Sequence, residues 1–193
     1  MLKLDFLPFP ILQTQRLILR EITEQDLPEL FAMRSNPQIM QHIARPLAKT
    51  MDDANTLLQI IIAAIHKNEG ITWGISEKGN SKLIGTIGFW QIDKTNARAE
   101  IGYLLHPGYW QKAYMSEAIQ TVLNYGFQTL HFHSVAGCVG LENIASQKTL
   151  LKNGFVKEAH FKEDCYFEGK YLDTLVYSIF AHSGNLIYQK FEG

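Results

Sequence analysis

Cysteine is scarce in this chain: Cys138 and Cys165 are the two among 193 residues. They stand without metal-ligand spacing in strand-like segments, and are expected to be small buried hydrophobes in a reducing, cytoplasmic setting. The seven histidines show neither H-x-x-x-H nor H-E-x-x-H spacing, so no metal is expected. Net charge is also small, at -1, which leaves no electrostatic reason to expect nucleic acid. Long hydrophobic runs are missing too. The longest, residues 57–65 (LLQIIIAAI), would reach about 14 Å as a helix, against a hydrocarbon core of about 30 Å, so no membrane span is expected. Repeats, low-complexity tracts and Pro/Gly/Ser-rich linkers are absent as well.

What remains is a chain that is 46% apolar and 19% charged, enough to bury a full core in one domain. Its start, MLKLDFLPFPIL, is interrupted by Asp5, Pro8 and Pro10 and lacks the continuous apolar region of a signal peptide. It is expected to be an arm, residues 1–11, packed on a core of about 12–180 with a tail at 181–193. Residues 16–22 (RLILREI) alternate with period two and read as a strand. Thr23 then precedes an acidic helix start, with that helix ending near Asn36 and Pro37. A second helix follows Thr50 and stops at Gly70. In it Leu57, Leu58, Ile61, Ile62 and Ile65 share a stripe while Ile60 falls off it, which suits a face toward a partner subunit in a homodimer.

Strands follow at 71–76, 83–93 and 97–105, separated by short turn signals, and predict an antiparallel meander. A helix is predicted from about Ser116 to Leu130, a strand at 133–139, a helix from Asn143 to Asn153 closed by Gly154, and a hairpin turned at Glu168-Gly169. The order β-α-α-β-β-β-α-β-α-β-β implies an α/β (α+β) fold, a mixed sheet of about seven strands with helices on both faces.

The junction LHPGYWQKAYMSEAI, residues 105–119, is unusually bulky and polar for a strand-to-helix turn. A helix start offers unpaired N–H groups and partial positive charge, so N–H groups from Gln111 to Ser116 could hold a pyrophosphate, with Lys112 adding a point charge. The plainer alternative is an ordinary turn with Ser116 as N-cap and Glu117 in the first turn.

Three stretches carry a wider resemblance: QTQRLILREITEQDLPELF, AEIGYLLHPGYWQKAYMSEAI, and ENIASQKTLLKNGF followed by FEGKYLDTLVYSI. In order and spacing the chain resembles the GNAT N-acetyltransferase superfamily, and within it the Rim-type branch that includes acetyltransferases of ribosomal-protein N-termini. The family's phosphate loop, R/Q-x-x-G-x-G/A, aligns with Trp110-Gln111-Lys112-Ala113-Tyr114-Met115. Trp110, Ala113 and Met115 depart from it. If the middle position needs a positive φ, Ala113 adds about 1 kcal/mol or more of strain. The expectation is that the loop adopts an allowed φ instead.

The resemblance implies acetyl transfer from acetyl-CoA to a primary amine, by direct attack in a ternary complex. It also implies strands 97–105 and 133–139 splayed to admit the pantetheine arm, with backbone groups near Leu104 and Leu105 receiving it. A backbone N–H there would polarise the thioester carbonyl. A terminal α-amine is roughly 10% neutral at pH 7 and a lysine near 0.04%, about 3 kcal/mol apart, so the former needs less help. Glu100, in an otherwise apolar strand, is the preferred general base; pairing with Arg98 is its plainer role. Asn143 and Ser146 match the family's N-x-x-S. Asn143 would orient pantetheine and Ser146 bond the leaving sulfur, unless both simply start a helix. Glu163 and Asp164 are alternative bases.

The acceptor, a protein N-terminus or a small amine, would enter between residues 34–46 and the last hairpin. A non-catalytic acyl-CoA-binding domain is the competing reading, supported by the altered loop. A dimerisation module built on residues 57–65 and the tail NLIYQKFEG is a third.

Overall fold

The computed structural model describes residues 2–182. An eight-stranded sheet runs through it in the order β1-β2-β3-β4-β5-β6-β8-β7. The strands are β1 (Leu12–Gln13), β2 (Leu17–Arg20), β3 (Ile71–Glu77), β4 (Gly85–Asp93), β5 (Arg98–Leu105), β6 (Ser134–Gly140), β7 (Val156–Phe167) and β8 (Lys170–Phe180). The strand beyond the expected seven is β1, two residues of the chain's entry that pair with β2. All neighbours run antiparallel except β5 and β6. Among the described residues no helix is long and apolar enough to cross a membrane.

Helices cover both faces, as period-two side-chain alternation requires of a sheet buried on each side. On one face lie α1 (Leu27–Arg34), α2 (Pro37–Met40) and α3 (Met51–His66), where Leu30, Met33, Leu58 and Leu83 form a core with Ile22. On the other lie α4 (Tyr114–Asn124) and α5 (Ile144–Lys152), with Trp73, Phe89, Ile119, Phe132 and Leu150 in the larger core. The first predicted helix is shorter than its pattern suggested. Thr23 heads a 3-10 turn, Glu24–Asp26, before α1, and Pro37 starts the separate four-residue α2. Asp26 accepts both guanidinium arms of Arg20 at 2.7 and 2.8 Å, pinning that turn to β2.

Thr50 and Asp53 form a capping box at the start of α3, and Leu58 on its apolar stripe is fully buried. Such a leucine is worth about 2–5 kcal/mol against alanine. Ile60 is 61% exposed, off the stripe as its position implied. Near the start of the chain Phe6 is fully buried, its N–H donates to Asn68 Oδ1 at 2.9 Å, and Trp73 Nε1 donates to the Pro10 carbonyl at 2.7 Å. The tail reading, NLIYQKFEG, lies outside the described residues. At the far edge β7 and β8 turn at Glu168 and Gly169, both with positive φ (47° and 81°), the geometry of a tight hairpin.

Candidate functional site

The parallel pairing of β5 with β6 stops early. It joins Arg98, Ala99 and Glu100 to Ser134, Val135 and Ala136, while β5 continues to Leu105 and β6 to Gly140. Beyond that point the strands part and leave two inner edges. The Ala97 carbonyl accepts from His133 N–H at 2.7 Å, so by alternation the backbone groups of Ile101, Tyr103 and Leu105 face the gap. Leu104, with Leu105 the sequence-based choice, turns its backbone groups toward β4 by the same alternation, as His106 does in donating to the Ile84 carbonyl. The Leu105 carbonyl is already taken by Trp110 Nε1 at 2.7 Å. The altered Trp110 therefore has a structural task, tying the loop back to the strand that precedes it.

A cleft of about 600 Å³ passes through this gap and reaches both faces of the sheet. Its α5 side is formed by Asn143, Ser146 and Leu150, and its α1/α3 side by Arg34, Arg45, Trp90, Glu100 and Cys138. Gly137 sets the width at one point, because a Cβ there would press on Leu150 at 3.0 Å. Asn143 caps α5, its side chain accepting from Ser146 N–H at 3.1 Å. That is the plain capping role, yet it leaves the Ser146 hydroxyl free to meet Tyr103 OH at 2.7 Å. Burial pushes the Tyr103 phenol up to about 12, with the Ser146 bond opposing, so it stays a proton carrier across the whole neutral range.

Glu100 is half-buried, across from Trp90 of β4. Burial raises its pKa from the ordinary carboxylate value, against the opposing pull of Cys138 and Arg98. No ion pair joins it to Arg98 among the described residues. Cys138 stands beside it. Although the residue as a whole is exposed, its thiol is desolvated against the cleft wall, and this, with the Glu100 charge, pushes it up to about 12, away from the reactive thiolate. The expectation that both cysteines are buried fails here: Cys138 is exposed, Cys165 is intermediate, and both line the cleft. A strand-like pattern could not show that the sheet opens at that point. Glu163 and Asp164 are exposed at a bulge of β7 and do not line this cleft.

At the loop, α4 begins at Tyr114 and not at Ser116, and its N-cap is Ala113 in the left-handed region (φ 60°, ψ 10°). The allowed-φ expectation is thus overturned, and Gln111 shares the conformation (φ 60°). The cause comes from about a hundred residues upstream. Arg16 donates to the Lys112 carbonyl at 3.0 Å and to Glu117 at 2.7 Å, Thr14 bonds the same carboxylate, and the guanidinium lies 4.4 Å over the Tyr114 ring. Burial works against ionised Glu117, but these bonds outweigh it and hold its pKa below the usual range. Ser116, displaced from the cap, accepts from Asn153 Nδ2 at 3.1 Å.

Among the described residues no acceptor is found for any backbone N–H from Gln111 through Met115 to Ser116. Six adjacent N–H groups at a helix start, with two left-handed residues, are an arrangement of the kind that receives anions. Lys112 does not point its charge there: its ammonium donates to the Gly108 carbonyl at 2.9 Å. No group of three metal-ligating side chains occurs among the described residues.

The structure brings Glu100, Asn143 and Ser146, all expected from the sequence, to one cleft, while the loop of residues 111–116 lies at the start of α4. Tyr103, Trp90 and the cleft position of Cys138 were not singled out, because their patterns are those of ordinary strand residues, whereas Arg34 lies in the stretch expected to frame the acceptor. A profile described as an acetyltransferase (GNAT) domain matches residues 16–156. YoaA of Bacillus subtilis, named as an uncharacterized N-acetyltransferase, is 40% identical over 89% of this chain and 97% of its own length. Among solved structures, spermidine N-acetyltransferase from Vibrio cholerae, in complex with CoA and spermine, superposes with a TM-score of 0.78 at 24% identity over 88% of this chain and 98% of that one. RimL, a ribosomal L7/L12 α-N-protein acetyltransferase in complex with coenzyme A, does so at 0.81 with 20% identity over 89% and 98%. These two similarities are of fold.

Proposed function

From the premise that this chain belongs to the GNAT acetyltransferase family, we propose how its residues carry acetyl from acetyl-CoA to a primary amine. The observation that carries the reading is the line from cradle to gap: unspent N–H groups at the start of α4 continue into the open edge of β5. Gln111, Lys112, Ala113, Tyr114, Met115 and Ser116 would hold the diphosphate through their backbone. The gap-facing groups of Ile101, Tyr103 and Leu105 would receive the pantetheine amides as an added strand, with Leu104 shaping its wall. Acetyl-CoA supplies an activated acyl group and a thiol leaving group.

The amine attacks in its neutral form, within a ternary complex. Glu100, with its raised pKa, takes the proton directly or through a water. The departing sulfur is met by Ser146, and Tyr103 behind it can pass on a proton. The Asn143 cap keeps Ser146 in place. Glu163 and Asp164, exposed and away from the cleft lining, are weaker candidates for the base.

The same reading takes residues 12–180 as one acetyltransferase domain, supported by a single continuous sheet. Free thiols at Cys138 and Cys165 support a reducing, cytoplasmic setting. Exposed Ile60 supports a homodimer contact, for which mass against concentration is the test. The enzymatic reading is tested by titrating coenzyme A into the protein and by following free CoA across an amine panel. Tight CoA binding with no turnover on any amine would favour the non-catalytic alternative.

A further inference from the structure

The acceptor's chemical class can be narrowed from the charges on the α1/α3 side of the cleft, on the premise that acetyl transfer occurs there. The acidic and basic side chains of its lining are Arg34, His42, Arg45, Glu69 and Glu100, with the Cys138 thiol beside the last. Arg34 stands in the last turn of α1, where its carbonyl accepts the Ala48 N–H at 3.1 Å. It is half-buried, and among the described residues its guanidinium has neither a carboxylate nor any other hydrogen-bond partner. The nearby Asp53 does not serve it, because that carboxylate accepts the N–H groups of Lys49 and Thr50 at 2.7 and 2.9 Å. Arg45 sits over the Trp90 ring, 5.7 Å from its centre, and Trp90 is paired across the sheet with Glu100. Burial, and then the like charge of Arg45, push Arg34 below its ordinary pKa.

A half-buried cation next to a second cation is held at a cost unless an anion joins it. Coenzyme A is not that anion, since its diphosphate cradle heads α4 on the opposite face of the sheet. A polyamine would bring further positive charge to Arg34 and Arg45, with exposed Glu69 the one carboxylate of the lining besides Glu100. An amine with its own carboxylate would satisfy both ends of the cleft. We infer that the acceptor is a primary amine whose molecule also carries a carboxylate, bound by Arg34 with Arg45 beside it, while the amine lies toward Glu100. Free amino acids and peptides with an acidic residue near a free N-terminus share this chemistry.

The test compares kcat/KM for a glutamyl dipeptide amide, its glutaminyl counterpart, free glutamate and spermidine at saturating acetyl-CoA. The carboxylate-bearing dipeptide should exceed its neutral counterpart by tenfold or more. If free glutamate equals or exceeds the dipeptide the source is small-molecule, and if it lags the source is a peptide; either supports the inference. Arg34→Gln should erase the acid-over-amide ratio through KM, with CoA affinity unchanged, and Arg34→Lys should restore part of it. Equal rates for the acid and neutral dipeptides, or a preference for spermidine, would overturn the inference and leave acetyl transfer standing. These two outcomes are read on the unaltered protein, so a variant that fails to fold does not decide the matter. No transfer to any amine would remove this inference together with its premise.

Discussion

Replacing Glu100 by Gln keeps the side-chain volume and a hydrogen-bonding head in the cleft while removing the negative charge. Its magnitude follows from the burial that raises the Glu100 pKa: a carboxylate held above its ordinary value is a stronger base at the pH where it is still ionised. Positioned general bases contribute about 10²–10⁴ in rate. An α-amine is roughly 10% neutral at pH 7, so an enzyme without a base can recover about tenfold by pH 9 from titration of the amine alone. Glu100→Gln should therefore lose about 100-fold in kcat/KM at pH 7, and the deficit should narrow by about tenfold toward pH 9. The acid limb of the unaltered enzyme should lie above the usual carboxylate range, since the base must be ionised to act. Chromatographic measurement of CoA and acetylated product gives the rates, and calorimetry with CoA gives an affinity that should stay within about twofold. A variant rate within twofold of the original at pH 7 would refute the assignment of the base.

Tyr103→Phe removes the bond to Ser146 and should lower kcat more than KM, with about 1 kcal/mol lost in stability by thermal unfolding. A drop confined to KM would argue against proton transfer through it. Asp26→Asn strips Arg20 of its buried carboxylate and should destabilise by about 3 kcal/mol, or about 6–12 °C in Tm. Burial pushes the Asp26 pKa up, but the Arg20 and Thr23 bonds outweigh it and hold it below 3.8. Its contribution is thus present above the ordinary aspartate pKa and fades as pH falls through the lower, folded value. The stability gap between parent and variant should shrink below about pH 4, and a gap constant with pH would contradict the pairing. Ala113→Gly relieves a left-handed Cβ but loosens the unfolded chain, two effects of about 1 kcal/mol or less that oppose, so Tm should hold within about 3 °C. Ala113→Val should weaken CoA binding by calorimetry, because a β-branched residue resists φ near 60°.

The periodic parts of this fold are legible in the sequence alone. Strand alternation in residues 16–22, the capped stripe of α3 and the Glu168-Gly169 turn are local signals, and each formed where its pattern lay. What local pattern cannot encode is a contact made at long range. Ala113 adopts a conformation foreign to its type because Arg16 and Thr14 brace the loop through Lys112 and Glu117. Cys138 reads as a core residue, since nothing in the string SVAGCVG says that its neighbour strand departs after Glu100. Arg34 reads as one end of the stretch, residues 34–46, that frames the acceptor's entry. Its lack of a partner emerges only when the segment from Gln41 to Thr50 is folded back over it.

The parting of β5 and β6 also bears on self-association. Open strand edges on a protein's rim invite other chains to add themselves and grow into aggregates. Here the unsatisfied edges lie in the middle of the sheet, flanked by β4 on one side and β8 on the other, where a foreign strand cannot dock sideways. Only a slender molecule threaded lengthwise can use them, so the fold keeps a sticky surface available for its ligand and closed to its neighbours in solution.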